Sequence, residues 1–191
     1  NSYCLQTTKG ATGLSAVSLG SDVCNQEEYT SLDLSSLSSL RTITIGDRDF
    51  MHVNTVTIFS LLLLESVVIG ENSFTENRNG HKNNANRRFT LKSCPSLREL
   101  KIGRYSFSDY TVCEITNMIG LEAIEIGDLA IESDSDVFFY ASLELKGTWV
   151  LFSCHGLELP KLKRIVVGST AFQCCRQLAF EGDAFSAHSM L

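Results

Sequence analysis

The sequence predicts a mainly β solenoid of about six coils near 24 residues, with two short strands per coil and two insertions. Three observations predict it. The phrase L-x-x-φ-x-φ-G, with φ an apolar residue, occurs at residues 14–20, 40–46, 64–70, 97–103, 121–127 and 162–168. Apolar and polar residues alternate in a second short stretch upstream of most copies. The leading Leu residues are 26, 24, 33, 24 and 41 positions apart, a unit near 24 lengthened in the third and fifth gaps. One such unit cannot bury its own Leu, Ile and Phe, whereas stacked units align them into one continuous core.

The first strand of each unit lies inside the phrase. Its inward positions are Val17, Ile43, Val67, Leu100, Ile124 and Ile165, then Leu19, Ile45, Ile69, Ile102, Ile126 and Val167. Gly20, Gly46, Gly70, Gly103, Gly127 and Gly168 close it, where a sharp turn with φ > 0 is expected to require Gly. Four residues on, Cys24, Phe50, Phe74, Phe107, Ile131 or Phe172 fills the inside of the corner. The second strand carries the pairs Leu32 and Leu34, Val56 and Ile58, Phe89 and Leu91, Cys113 and Ile115, with Leu143 and Leu145 as candidates in the fifth gap. Their period of two marks half-buried strands. Leu37, Leu61, Cys94, Met118 and Leu159 then turn the chain back inward. The 191 residues therefore read as one domain: an N-terminal segment 1–13, repeats over 14–182, a tail 183–191, and insertions near 75–88 and 128–160.

Composition narrows the function. Sixteen Lys and Arg against 22 Asp and Glu give a net charge of −6, which argues against nucleic acid as partner. The longest uncharged apolar run, Ile58 to Leu64, is too short to span a bilayer. The chain opens on Asn1 with no charged-then-apolar leader, as expected of a processed chain or a fragment. Seven Cys, without a C-x-x-C pair, leave an odd thiol and no zinc spacing. Cys4 and Cys24 are the disulfide candidates, placed to staple an open first coil.

The phrases LRTITIGDRDF, LESVVIGENSF, LRELKIGRYSF and LKRIVVGSTAFQCCRQL resemble the leucine-rich repeats of the BspA-like class, found mainly in surface proteins of bacteria and protists. The resemblance covers roughly residues 14–182. It lacks the Asn ladder of ordinary leucine-rich repeats, and only Ala171, Phe172 and Cys175 keep the A-F-x-x-C form. It implies a leucine-rich-repeat solenoid that acts in recognition rather than catalysis, and it carries no functional residue to transfer.

No catalytic constellation emerges. His52, His81, His155 and His188 belong to no H-E-x-x-H, and neither G-x-S-x-G nor G-x-x-x-x-G-K occurs. Cys154 and His155 are sequence neighbours, which point apart on a strand. Glu132, Asp134 and Asp136 lack the Gly and the downstream Glu of a calcium loop. No cofactor or metal is expected. The candidate contact residues lie in the insertions. Arg78, Lys82, Arg87 and Arg88 outnumber Glu76 in the first, forming a basic finger suited to an acidic partner or a polyanionic glycan. Trp149 stands in the second. The expected function is protein contact or adhesion, extracellular or at a cell surface. The alternative is a structural subunit that stacks end to end into a filament through its uncovered β edges.

Overall fold

The computed structural model describes residues 13–76, 84–127, 135–146, 163–174 and 178–181. Among them are twelve strands and no helix. The chain alternates between two parallel sheets. One holds β1 (Ala16–Ser18), β3 (Thr42–Ile45), β5 (Ser66–Ile69), β7 (Glu99–Ile102), β9 (Ala123–Ile126) and β11 (Arg164–Val167), side by side in that order. The other holds β2 (Ser31–Asp33), β4 (Thr55–Phe59), β6 (Arg88–Lys92), β8 (Val112–Thr116), β10 (Ser142–Lys146) and β12 (Leu178–Glu181).

The mainly β content is observed, but the leucine-rich-repeat assignment is corrected. A leucine-rich repeat pairs one strand with a helix or 3₁₀ segment on the opposite side of a horseshoe. Here the opposite side is itself a six-stranded parallel sheet. The cause is local. The return segments alternate strictly, as in Thr55-Val56-Thr57-Ile58 and Arg88-Phe89-Thr90-Leu91, with β-branched residues outward and no apolar stripe of period 3.6 to form a helix.

Register places like on like. Val17, Ile43, Val67, Leu100, Ile124 and Ile165 form one row across the first sheet. Leu32, Val56, Phe89, Cys113, Leu143 and Leu178 form a row across the second. The two inner faces meet in one core that includes Leu34, Leu40, Leu64, Leu97 and Leu121, all fully buried. Each such side chain contributes about 1.5–3 kcal/mol by leaving water. Val167 departs from its row: it is 41% exposed, while Ile45, Ile69, Ile102 and Ile126 are buried. It lies on β11, which pairs only with β9 among the described strands.

The corner after each first-sheet strand corrects the expected role of Gly. The positive φ angles fall two and four residues past it, at Asp22 and Cys24, Arg48 and Phe50, Asn72 and Phe74, Tyr105 and Phe107, and Thr170 and Phe172; among the described Gly residues only Gly127 has one. Glycine is required for space instead. A Cβ on Gly103 would lie 2.6 Å from the backbone carbon of Gly70, and one on Gly46 equally near that of Gly20. The left-handed Phe residues cost about 1–2 kcal/mol each. They are held by rung-to-rung hydrogen bonds, the Phe74 N–H donating to the Asp49 carbonyl at 2.8 Å and Phe107 to Ser73 at 3.0 Å. Their rings also stack: Phe50, Phe74, Phe107 and Phe138 follow one another at centroid spacings of 5.0, 4.7 and 4.8 Å.

This packing separates two glycines that look alike in sequence. Gly103→Ala should destabilise by about 1–3 kcal/mol, because only backbone atoms line the space and none can yield. Gly20→Ala meets nothing within 4 Å and should stay within about 0.5 kcal/mol of the parent. Urea unfolding of both variants checks the pair; equal losses would refute the close-approach account.

Candidate functional site

The expected basic finger divides on inspection. Arg78, Lys82 and Trp149 lie outside the described residues, as do Cys4, Cys154, His155, Glu132 and Asp134. Arg88 is exposed at the start of β6, between Thr55 and Val112 of the neighbouring strands. Arg87, named as a contact residue from its charge, is corrected: its side chain is fully buried. Its guanidinium donates to Asp109 Oδ1 at 3.2 Å, to the Met51 carbonyl at 3.0 Å and to the Phe74 carbonyl at 3.3 Å. It also meets Glu76 Oε1 at 3.0 Å and lies over the Tyr110 ring. The Tyr110 hydroxyl donates to the Val53 carbonyl at 2.5 Å. The Asp109 carboxyl is pushed up by burial and pulled back by Arg87. Asp109 also accepts from the backbone of Glu76 and, through its carbonyl, from that of Asn84, so this cluster pins both flanks of the first insertion.

A different feature offers itself to a partner. The four passages from the second sheet back to the first that lie among the described residues are β-turns, in which Leu40, Leu64, Leu97 and Leu121 donate N–H groups to the carbonyls of Leu37, Leu61, Cys94 and Met118. Those eight residues are buried. The turn tips read Ser38-Ser39, Leu62-Leu63, Pro95-Ser96 and Ile119-Gly120 on successive rungs, exposed or half-buried except at the buried Gly120. Leu62 is 61% exposed, Leu63 41% and Ile119 42%, with Phe59 beside them at the end of β4 at 42%. The rungs are tied closely here, the Ser96 hydroxyl donating to the Leu62 carbonyl at 2.7 Å. Against this apolar ridge runs a cleft of about 200 Å³ lined by Glu65, Pro95, Ser96, Arg98 and Gly120. Glu65 is engaged by Arg41 at 2.5 Å. Arg98 is exposed and makes no ion pair among the described residues.

Sequence reasoning used Leu61 and Leu64 for the core and passed over Leu62 and Leu63. The signal was available: a run of four Leu in which the repeat spacing needs only the first and last inside. Turn tips are ordinarily polar, as Ser38-Ser39 is, so an apolar tip is the informative exception.

Two other chemical groups bear on what the chain can do. Asp49 is fully buried at the first-sheet corner, where the next two rungs carry Ser73 and Ser106. Its Oδ1 accepts from the Val23 N–H at 2.8 Å, while Oδ2 has no partner. Burial pushes this carboxyl up from 3.8 to about 6, despite the opposing backbone hydrogen bonds. Cys24 is disulfide-bonded; Cys94, Cys113 and Cys174 are free, and burial raises the first two thiols. Among the described residues no three His, Cys, Asp or Glu are grouped to hold a metal ion. Nor is any helix there long and apolar enough to cross a membrane.

No protein-family model, curated protein or solved structure matches the chain. Its class is thus defined by the structure alone: a two-sheet parallel β protein with an apolar ridge along one line of turns.

Urea unfolding between pH 4 and 8 tests both buried charges. Arg87→Met should cost about 3–5 kcal/mol, because Asp109 is left buried without its counter-ion. Asp49 works in the opposite sense. Its folded value is raised, so its contribution is full below pH 3.8 and is lost as pH rises through about 6. Asp49→Ser should therefore match the parent at pH 4 and exceed it by up to roughly 3 kcal/mol at pH 7. A variant weaker than the parent at pH 7 would show that Asp49 is held charged by a partner.

Proposed function

We propose that this chain is a non-enzymatic binding module that works by protein–protein contact, outside the cell or at its surface. The observation that carries the reading is the ridge. Phe59, Leu62, Leu63 and Ile119 are four of the six large apolar side chains exposed among the described residues, and they lie along one edge, Ile119 two rungs from Leu62 and Leu63 with the Pro95-Ser96 tip between. Clustered apolar residues with polar neighbours are what a docking partner desolvates. The disulfide at Cys24 supports an oxidising compartment. The glycan-binding reading of the first insertion is left with Arg88 as its described surface cation, so the ridge takes precedence.

A second reading, end-to-end assembly, is favoured by one observation: Val167 is exposed on β11, the last described strand of its sheet, while its equivalents on four earlier rungs are buried. Filaments whose length grows with protein concentration in negative stain would support it.

The first reading is tested by binding of labelled protein to an array of extracellular proteins, comparing the parent with a Leu62→Asp, Ile119→Asp double variant. Both side chains are at exposed turn tips, so the unfolding temperature should hold while bound signal falls at least about tenfold. Undiminished signal from a folded double variant would sink the ridge as the contact site.

A further inference from the structure

We infer that the cleft beside the ridge receives a carboxylate, so that the partner is a peptide segment in which an apolar side chain is flanked by Asp or Glu. This rests on the ridge being the contact surface and names the kind of chain that fits it. Three observations converge.

The cleft adjoins the apolar tips directly. Pro95 and Gly120 line it, and they stand in the same tip positions as Leu62-Leu63 and next to Ile119. A Cβ on Gly120 would fall 2.2 Å from the Pro95 carbonyl oxygen, so backbone packs on backbone here and the two rungs hold this wall of the cleft rigid.

The charges around it are unequal. The residue after each repeat Leu forms a column along the stack: Arg41, Glu65, Arg98, Glu122 and Lys163. Its two ends are closed pairs, Arg41 with Glu65 at 2.5 Å and Lys163 with Glu122 at 2.8 Å. Arg98, between the two carboxylates, is the cation left over. Lys92, exposed at the end of β6, adds to it near Phe59 of β4, its register partner. A chain of net charge −6 thus presents a locally cationic edge at its most apolar surface.

The geometry suits one ligand group. An arginine at a cleft wall binds a carboxylate through two parallel N–H donors, and the planar fork is stiff enough to set the orientation. With the guanidinium satisfied, the ridge takes the neighbouring apolar side chain. Bringing a cationic segment to the same edge would instead oppose Arg98 and Lys92.

A phage library of random dodecapeptides, selected on the intact protein, tests this. The expected result is enrichment of sequences with Leu, Ile or Phe beside Asp or Glu. Their binding should fall about tenfold or more in Arg98→Gln and be lost in a Leu62→Ser, Ile119→Ser double variant, both with unchanged unfolding temperature. Gln is chosen because Glu would stack three carboxylates in the column. Enriched peptides that lack acids, or that ignore Arg98→Gln yet fail on the double variant, overturn the carboxylate inference and leave the ridge standing. Peptides indifferent to both variants, or no enrichment at all, overturn the inference and the ridge together. A parent that sediments as a dimer, dispersed by the double variant, identifies the occupant as a second copy and overturns the peptide proposal.

Discussion

In-register parallel pairing governs this protein. Every described strand lies beside the equivalent strand of the next rung at the spacing that backbone hydrogen bonds impose, about 4.8 Å. Whatever a position carries is repeated against a near copy of itself. For apolar side chains this is favourable, and the rows from Val17 to Ile165 and from Leu32 to Leu143 follow directly. The Phe50, Phe74, Phe107 and Phe138 rings lie within 8° of parallel because the rungs hold them so, although aromatic pairs left to themselves prefer offset or edge-on contact. The same constraint supports backbone angles that Phe would otherwise avoid: each left-handed residue is fixed by the rung on either side, so none can relax alone.

The constraint is less kind to charge. Like charges stacked at strand spacing repel, and the column after the repeat Leu answers by changing sign at every step from Arg41 to Lys163. Inside the protein the solution is neutral: the Ser106 hydroxyl accepts from the Ser73 N–H at 3.0 Å and donates to the Gly70 carbonyl at 2.7 Å, and Ser73 repeats the pattern one rung earlier. Asp49 occupies that ladder with a carboxyl, which burial keeps readily protonated. Arg87 and Asp109 are the one ion pair with both side chains buried among the described residues, placed where an insertion interrupts the rungs and backbone groups lose their regular partners. Carbonyls of Met51 and Phe74, which point inward there, are taken up by the guanidinium.

What could be read from sequence follows the same division. The inward rows, the Phe positions and the Gly positions were legible because stacking repeats them, and repetition is visible in one dimension. The return strands were legible as well, from the alternation at Val56 and Ile58 or Phe89 and Leu91, but the fold class was not, since family likeness supplied a leucine-rich-repeat answer that the second sheet overturns. Glycine was found for the wrong reason: its signature is the same whether φ or a facing backbone excludes a side chain. Arg87 was misplaced because a cation in an Asn-rich, basic segment reads as solvated, and its counter-ion Asp109 lies 22 residues away. Cys24 is disulfide-bonded, while Cys4, the partner expected from sequence, lies outside the described residues.

Stacking also explains where a binding surface can arise. The outward faces of both sheets are paired laterally with the rungs above and below, so a change at one position is felt by two neighbours. First-sheet corners are more constrained still, packed with left-handed Phe and glycines that admit no Cβ. The β-turn tips on the other side are different. They stand between the buried Leu that begins each repeat and the residue three before it, and except at Gly120, where the Pro95 carbonyl excludes a side chain, the fold asks of them only that the chain turn. Ser-Ser, Leu-Leu, Pro-Ser and Ile-Gly all satisfy that demand on successive rungs. Where the scaffold does not dictate the residue, exposed Leu and Ile are a departure that stability does not require, since removing them from water is left to something other than this chain. The freedom of the tips and their apolar content together place recognition on this edge rather than on the flat sheets.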